Sequence, residues 1–304
     1  MIGFLKKNIK KNSFFNCLIL RYRMKQLQKI PAEKRIKERW ERDFGYPLNL
    51  DNPKTYNEKI QWLKLYGENN PVFGDFNLAK KITDKIWARN YITEKIGNNY
   101  LTKIYGIYKN TKKIKFENLP EKFVLKANHD SGSILVVMDK NNIDKKELKK
   151  LDCNLKINYG KTQCEWVYNE IEPKIFAEEL ILDKNGNIPF DYKVFCFQGK
   201  PKLIQVDIGR FSEHKRNFYD LNWNRLDLEI IYPSADVEIQ KPAFLDEMLE
   251  LSSIISKPFN HARVDWLMSD NKLYFGEITF FHESGFGKFS SKEWERKMGD
   301  WIIL

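Results

Sequence analysis

The stretch from Arg263 to Gly287, RVDWLMSDNKLYFGEITFFHESGFG, decides how the rest of this sequence is interpreted. Two runs rich in apolar, β-branched and aromatic residues flank a short polar segment, and this pattern is typical of a β-hairpin. With a three-residue loop, Ser269 pairs with Leu273. Counting outward from that pair then places Asp265 opposite Glu277.

Two carboxylates that face each other across a hairpin need an explanation. Opposed side chains on paired strands lie roughly 4.5–5.5 Å apart at Cβ, and like charges there destabilise a sheet. The pair of Asp265 and Glu277 is tolerated if one carboxyl is protonated, if both are solvated, or if a cation lies between them. Oxygen ligands with room left for phosphate oxygens suit Mg²⁺. Two unrelated surface acids are the alternative interpretation.

The composition favours an anionic partner. The 304 residues suffice for one large domain or for two or three lobes. Lys and Arg number 52 against 41 Asp and Glu, a net charge of +11, and 14% of residues are aromatic. This balance favours nucleotides, acidic sugars or membrane surfaces as partners. Because the chain has neither an arginine-rich tract nor an RNA-binding signature, we do not expect a nucleic-acid partner.

The four cysteines, Cys17, Cys153, Cys164 and Cys196, have neither CxxC spacing nor the Cys/His spacing of metal sites. This predicts buried, inert thiols in a reducing cytosol. No segment is long and apolar enough to span a bilayer. We therefore expect a cytoplasmic protein.

Residues 1–30 form a basic segment with interleaved apolar residues, and its first 29 residues contain no acid. Such a pattern predicts a helix that lies on an anionic membrane surface, here the inner face of the cytoplasmic membrane. A solvated basic helix packed on the body of the protein, or a frayed arm, is the alternative.

Helical patterns dominate the first third of the chain and recur later. Residues 32–66 are predicted to be helical with a break at Gly45-Tyr46-Pro47, and residues 77–97 and 142–160 form further helical segments. Thr55 followed by Glu58 has the spacing of a capping box at a helix start.

Strand patterns surround a small-residue loop in the middle of the chain. The strand FVLKANHD carries Lys126 and is followed by the loop Asp130–Ser133 and a strand over 134–138. Backbone N–H groups of such a loop, with a nearby ammonium group, can bind phosphate. An ordinary hairpin turn is the alternative.

Two later segments carry further polar residues. The strand predicted over 174–181 contains Glu178 and Glu179, which point to opposite faces. The segment GRFSEHKRNFYD is predicted to be a basic loop between strands, where binding residues are common. Its basic side chains are Arg210, His214, Lys215 and Arg216.

Taken in order, these motifs resemble the ATP-grasp ligases. More narrowly, NPKTYNEKIQWLKLY, FVLKANHDSGS, DYKVFCFQGKPKLIQVD, HKRNFYD and GEITFFHESGFGKF resemble the TupA-like branch, from about Leu48 to the C-terminus. That branch is linked to amide-bond formation in teichuronopeptide and capsule biosynthesis. The resemblance implies an α+β ATP-grasp fold, in which two α+β lobes sandwich ATP. We expect a basic helical extension over 1–47, an N-terminal lobe over 48–118, a central lobe over 119–200 and a C-terminal lobe over 201–304.

The resemblance also implies roles for individual residues. Lys85, Lys126 and Lys193 would contact the phosphates of ATP, and Asp191 its ribose. The loop that closes over the phosphates would comprise His129, Asp130, Ser131, Gly132 and Ser133. The adenine pocket would be lined by Glu178, Glu179, Leu180 and Ile181.

For the metal and the substrates, the resemblance implies that Asp265 and Glu277 hold Mg²⁺. Thr279 stands where many ATP-grasp enzymes have a metal-binding Asn. The residues implied for the acyl phosphate or an acidic sugar are Arg263, Arg210, Lys215 and Arg216.

The implied activity is ATP-dependent ligation of a carboxylate to an amine through an acyl phosphate. The carboxylate would be a uronic acid of a surface glycan or of its precursor, and the amine an amino acid or another amine. Three alternatives stay open: a capsule glycosyltransferase that uses a nucleotide sugar, a sugar kinase, and a non-catalytic protein that binds membranes through residues 1–30. The glycosyltransferase would need a DxD-like motif, and the segment that comes closest is Asp183-Lys184-Asn185.

Overall fold

A computed structural model describes residues 13–209, 213–269 and 272–304. The strands of its first sheet are β1 (Ile104–Tyr108), β2 (Phe123–Ala127), β3 (Ile134–Val137) and β4 (Ile175–Glu178). They pair antiparallel in the order β1-β4-β2-β3. Alternate residues of these strands, such as Phe123, Leu125, Ile175 and Ala177, share one apolar core because successive side chains point to opposite faces.

A second antiparallel sheet contains six strands in the order β10-β9-β5-β6-β7-β8. These strands are β5 (Asp191–Phe197), β6 (Lys200–Ile208), β7 (Lys215–Tyr219), β8 (Arg225–Leu226), β9 (His261–Ser269) and β10 (Lys272–Thr279). The largest hydrophobic core lies on this sheet. The two sheets and the helices around them form the predicted α+β architecture.

The helices of the described ranges flank these two sheets. They are α1 (Ser13–Leu27), α2 (Ala32–Phe44), α3 (Tyr56–Tyr66), α4 (Phe76–Ile82), α5 (Ala88–Ile96), α6 (Lys145–Asn154), α7 (Tyr159–Gln163), α8 (Leu245–Ser256) and α9 (Lys292–Trp301). The predicted capping box of α3 is confirmed, because Thr55 and Glu58 each accept a hydrogen bond from the backbone N–H of the other.

Two helical predictions were wrong in their extent. The helix predicted over 77–97 is divided into α4 and α5, because the Asp84 carboxylate accepts a hydrogen bond from the N–H of Ile86 and so stabilises a turn between them. The segment predicted over 142–160 is divided into α6 and α7, and Asn158 caps the start of α7. The first break places Lys85 in a loop.

Two strand predictions also need correction. The strand predicted over 174–181 ends at Glu178, so Glu179 lies beyond it. Lys215 and Arg216, predicted in a loop, lie on β7, where hydrogen bonding to β6 gives them a strand conformation. Arg210 lies outside the described residues.

The predicted set of four inert thiols is wrong for two of them. Cys17 in α1 and Cys153 in α6 form a disulfide, so the N-terminal helix is covalently tied to the part of the chain that carries the smaller sheet. Cys196 is buried and Cys164 is partly buried. Over the ranges described, the structure contains no helix with the length and apolar character needed to cross a bilayer.

Candidate active site

The site is organised by the hairpin of β9 and β10, where Asp265 does lie opposite Glu277. The route to this pairing differs from the prediction. Ser269 pairs with Lys272 rather than with Leu273, and a bulge at Gly276 restores the predicted partner further along the strands.

Three cations surround the two carboxylates. Arg263 donates two hydrogen bonds to Asp265, from Nε at 2.7 Å and from Nη2 at 2.6 Å, and Lys193 Nζ lies 3.2 Å from the same carboxylate. Lys85 Nζ lies 3.1 Å from Oε2 of Glu277. The like charges predicted to repel across the hairpin are therefore compensated by neighbouring side chains.

The donor set of this pair fits Mg²⁺. Asp265 and Glu277 offer hard carboxylate oxygens, the ligands that Mg²⁺ prefers, and both line a cavity that phosphate oxygens could enter. Within the described ranges, no three His, Cys, Asp or Glu side chains are grouped closely enough to hold a metal by themselves. Mg²⁺ is commonly bound by two protein ligands, and phosphate and water complete its coordination shell.

A small cavity of about 80 Å³ between the two sheets has the character of a phosphate site. It is lined by Lys85, Lys126, Lys193 and the loop Asp130–Ser133. Lys85 Nζ donates a hydrogen bond of 2.7 Å to the carbonyl oxygen of Asp130, and Gly132 adopts a φ of +96° that favours glycine. The loop is therefore fixed to the same lysine that contacts Glu277 on the hairpin.

A larger cavity of about 670 Å³ adjoins the phosphate site and has apolar walls from both sheets. Val124 contributes from one sheet, and Leu267 and Phe275 from the other, and the predicted adenine-binding segment 178–181 also lines it. Asp191 lines both this cavity and the phosphate cavity, as a ribose-binding residue should. Size, apolar walls and position suit a purine base.

Glu178 has partners within this region. It forms an ion pair with Lys126 and accepts a hydrogen bond of 2.9 Å from the Thr102 hydroxyl. Its carboxylate is thereby held at the junction of the apolar and phosphate cavities, because Lys126 lines both.

A third cavity, of about 550 Å³, is strongly polar, and Glu277 lies on its wall. It shares Ser131, Lys193 and Glu277 with the phosphate cavity. Its other ionisable lining residues are Arg39, Glu165, Asp207, His214, Arg216, Arg263 and Glu283. We call it the substrate cavity below, because it adjoins the phosphate end of the site.

Buried ion pairs hold the floor of the substrate cavity. Arg216 contacts Asp207 at 2.7 Å and Glu283 at 3.0 Å. Burial opposes ionisation of Asp207, yet Lys193 and Arg216 hold the pKa of its carboxyl well below its usual value. Burial likewise lowers the pKa of Lys193, but Asp191, Asp265 and Asp207 outweigh that effect and raise it. Asp207 and Lys193 therefore remain charged near neutral pH.

Not every predicted site residue reaches a cavity. Lys215 lies on β7 and lines none of the three cavities, and His129 is buried with its Nε2 3.3 Å from the carbonyl oxygen of Asn154. Thr279 lines the substrate cavity, where its hydroxyl accepts a hydrogen bond from Arg263.

Sequence reasoning missed several lining residues: Arg39, Glu165, Asp207 and Glu283. The only signal available was that Asp207 ends the motif DYKVFCFQGKPKLIQVD and that Glu283 lies in GEITFFHESGFGKF. Arg39 and Glu165 lie outside the quoted motifs.

The fold and these adjoining cavities define the class of the protein, which is an ATP-grasp enzyme. More narrowly, a family model described as TupA-like ATPgrasp matches residues 58–303, so the chain belongs to the TupA-like ATP-grasp family. The match begins ten residues after the start that the motifs predicted. No curated protein sequence matches the chain significantly.

Solved structures with partial similarity include D-alanine–D-alanine ligase from Bacillus anthracis complexed with ATP, at 17% identity and a TM-score of 0.41 over 73% of this chain and 65% of that one. The N5-carboxyaminoimidazole synthase from Aspergillus clavatus is 14% identical, with a TM-score of 0.41 over 70% and 48% of the two chains. The ATP-grasp ligase PsnB is 10% identical, with a TM-score of 0.41 over 73% and 60%. The chain thus spans about half to two thirds of the length of these proteins.

Proposed function

We propose that this protein is an ATP-dependent carboxylate–amine ligase that forms an amide through an acyl phosphate. The single observation that carries the proposal is the position of Asp265 and Glu277. Both line the cavity that suits the phosphates of a nucleotide, and Glu277 also lines the separate polar cavity that suits the substrates. Phosphoryl transfer from ATP to a substrate requires this arrangement, since both reactants must meet at the terminal phosphate.

In the first step, an oxygen of the substrate carboxylate attacks the γ-phosphorus of ATP, and the bond from that phosphorus to ADP breaks. Lys85, Lys126 and Lys193 would counter the charge that develops on the phosphoryl group. Asp265 and Glu277 would hold Mg²⁺, which supplies further charge neutralisation when it is bound.

In the second step, the amine nitrogen attacks the acyl carbon and the carbon–oxygen bond to phosphate breaks. Amide and inorganic phosphate form, and the nitrogen loses the protons that the amide does not retain. Arg263 and Arg216, which line the substrate cavity, would stabilise the negative charge of the acyl phosphate. Because phosphate is the leaving group, the chemistry needs no Cys or Ser nucleophile.

We propose a uronic acid of a cell-surface polysaccharide, or its precursor, as the carboxylate substrate. The four basic side chains on the wall of the substrate cavity, Arg39, Lys193, Arg216 and Arg263, and the net charge of +11 support an acidic substrate. The resemblance of the motifs to the TupA-like branch, which is linked to teichuronopeptide and capsule biosynthesis, is a further support for this proposal.

The cellular location of the protein and the boundaries of its domains are also proposals. We propose a cytoplasmic protein that contacts an anionic membrane through residues 1–30, supported by the exposed Leu18, Ile19 and Tyr22 on the basic helix α1. Sedimentation with anionic vesicles, compared with neutral vesicles, tests the membrane contact. The domain boundaries at residues 47, 118 and 200 remain proposals.

The function is tested by thermal shift with Mg-ATP beside Mn²⁺ and UDP-sugars, with Asp265→Asn as the comparison protein. Saturation at about 100 times Kd should add roughly 2.7 kcal/mol to the free energy of unfolding. We expect a shift with Mg-ATP that the variant loses. A shift only with Mn²⁺ and a UDP-sugar would instead support the glycosyltransferase. The motif considered for that alternative forms an ordinary turn, in which the Asp183 carboxylate accepts hydrogen bonds from the N–H groups of Asn185 and Asn187.

A further inference from the structure

Arg39 reaches the substrate cavity from a helix that lies outside the family-matched residues 58–303. Helix α2 is anchored there because Ile36 and Trp40 are buried in one apolar cluster with Phe286. The guanidinium carbon of Arg39 lies 3.7 Å from the centre of the Phe286 ring, which fixes the side chain by a cation–π contact. The N-terminal part of the chain therefore completes the wall of the cavity.

Arg39 differs from the other cations of the cavity in its partners. Lys193, Arg216 and Arg263 each form ion pairs with carboxylates that line the site. Within the described ranges, the ion pair of Arg39 is with Asp43, through Nε at 3.2 Å, and Asp43 is not part of the cavity wall. Among the described residues, the two η nitrogens of Arg39 have no hydrogen-bond partner. A guanidinium fork with two such nitrogens is the geometry that binds a carboxylate in bidentate fashion.

A buried acid lines the same cavity. Glu165 is only 3% exposed and lies in the electrostatic field of Arg39 and of the buried Lys64. Lys64 Nζ donates to the hydroxyl and the carbonyl oxygen of Ser284 at 2.9 and 3.0 Å, and Ser284 lines the same cavity as Glu165. Glu283 and Ser284 have φ values of 49° and 56°, so this segment of the cavity wall is constrained in the left-handed region.

The position of these two residues matches one of the two substrates. Arg39 and Glu165 line the substrate cavity but not the phosphate cavity, whereas Lys193 and Glu277 line both. The carboxylate that receives the phosphoryl group must lie at the shared end. The amine must approach the acyl carbon from the remaining space, on the side of Arg39 and Glu165.

We propose that Arg39 and Glu165 form the subsite for the amine substrate, and that this substrate is an amino acid. The fork of Arg39 binds its carboxylate and Glu165 accepts a hydrogen bond from its ammonium group. This inference rests on the ligase function proposed above, and it assigns Arg39 as a specificity-determining residue.

The test measures binding of the twenty standard amino acids to the full-length protein saturated with Mg-ADP, followed by the decarboxylated amine of each amino acid that binds. We expect Arg39→Gln to weaken amino-acid binding by roughly 10- to 100-fold, the effect of losing hydrogen bonds between charged groups. The variant should leave binding of the decarboxylated amine unchanged, which a merely structural role of Arg39 would not produce. Arg39→Lys keeps the charge but loses the fork and should be intermediate, and it serves as the second variant if Arg39→Gln does not fold.

The matched control is Arg42→Gln. Arg42 lies on the same helix and also pairs with Asp43, at 2.8 Å, but does not line the cavity. It should bind amino acids like the wild type. The inference is overturned if no amino acid binds, if the amines bind as well as the amino acids, or if Arg39→Gln weakens both equally. Failure of Mg-ADP and Mg-ATP to bind the wild type would instead overturn the proposed function.

Discussion

The Nζ atom of Lys85 lies 3.1 Å from Oε2 of Glu277 and 2.7 Å from the carbonyl oxygen of Asp130. A lysine from the break between α4 and α5 therefore connects the β9–β10 hairpin to the loop Asp130–Ser133. The three residues come from distant parts of the chain, and they meet at the cavity where the terminal phosphates of ATP would lie.

Replacing this lysine should weaken nucleotide binding. We expect Lys85→Met to raise the Kd for Mg-ATP roughly 10- to 100-fold, because it removes charge-assisted hydrogen bonds to phosphate. Isothermal titration measures the effect. Lys81→Met is the control, since Lys81 is exposed, lies four residues away and has its ammonium near the Trp87 ring, 5.7 Å from the centroid. Equal affinities of the two variants would contradict the role of Lys85.

Lys193 should be important for stability as well as for binding. It lies 3.2–3.6 Å from carboxylates of Asp191, Asp207 and Asp265 while its side chain is only 5% exposed. The substitution Lys193→Met leaves the three carboxylates without this cation. Removing one partner of a buried ion pair lowers the free energy of unfolding by about 3–5 kcal/mol. Urea unfolding measures the loss. Lys200→Met, at an exposed position at the start of β6, should change stability by less than about 0.5 kcal/mol. A similarly small loss for Lys193→Met would show that the acids are not held by this lysine.

Stability should fall as the pH drops below about 6.5, the ordinary pKa of histidine. Burial lowers the pKa of His261 to about 3, so between these two values the unfolded chain binds a proton that the folded protein does not. In that window, each drop of one pH unit lowers the free energy of unfolding by about 1.4 kcal/mol. The pKa of His282 is lowered in the same way, also chiefly by burial, and adds to the slope.

The variant His261→Gln isolates the contribution of His261 to this pH dependence. Glutamine can replace the hydrogen bonds to the Tyr56 hydroxyl and the Cys196 carbonyl oxygen but does not titrate. Between about pH 3 and 6.5, we expect the unfolding free energy of the variant to have a smaller slope against pH than that of the wild type. The difference in slope should correspond to one proton fewer taken up on unfolding. Burial raises the pKa of Glu165, and this shift makes stability increase as the pH falls. Because it is present in both the wild type and the variant, it does not affect the comparison. Parallel pH profiles of wild type and variant would contradict the prediction.

The start of α3 should depend on its capping box. Thr55→Ala removes the acceptor for the N–H of Glu58 and should cost about 1 kcal/mol of the free energy of unfolding. Thr55→Ser keeps the hydroxyl and should stay within about 0.5 kcal/mol of the wild type. Chemical denaturation of the three proteins measures both differences. An alanine variant as stable as the serine variant would show that the cap contributes nothing.

Local patterns predicted much of this protein. The apolar runs and turn residues identified β2, β3, β4 and the hairpin of β9 and β10, whereas β7 was predicted as a loop. The spacing of Thr55 and Glu58 identified a helix start. The opposition of Asp265 and Glu277 was also predicted, although through a register that the bulge at Gly276 corrects. Alternation of side chains has a period of two and carries no signal for a bulge. The pairing was therefore predictable, while the loop length was not.

The sequence by itself determined most of the elements, the motifs of the TupA-like family and the opposed acids of the β9–β10 hairpin, because each depends on residues close together in the chain. Only the tertiary structure decided which charges meet. Lys85 reaches Glu277 across 192 positions of the sequence, and Arg39 joins Glu165 at the substrate cavity although no motif links them. Such contacts arise from the packing of α2 against Phe286 and from the meeting of the two sheets. Packing brings together side chains that are far apart along the chain, and residues so far apart leave no local pattern in the sequence.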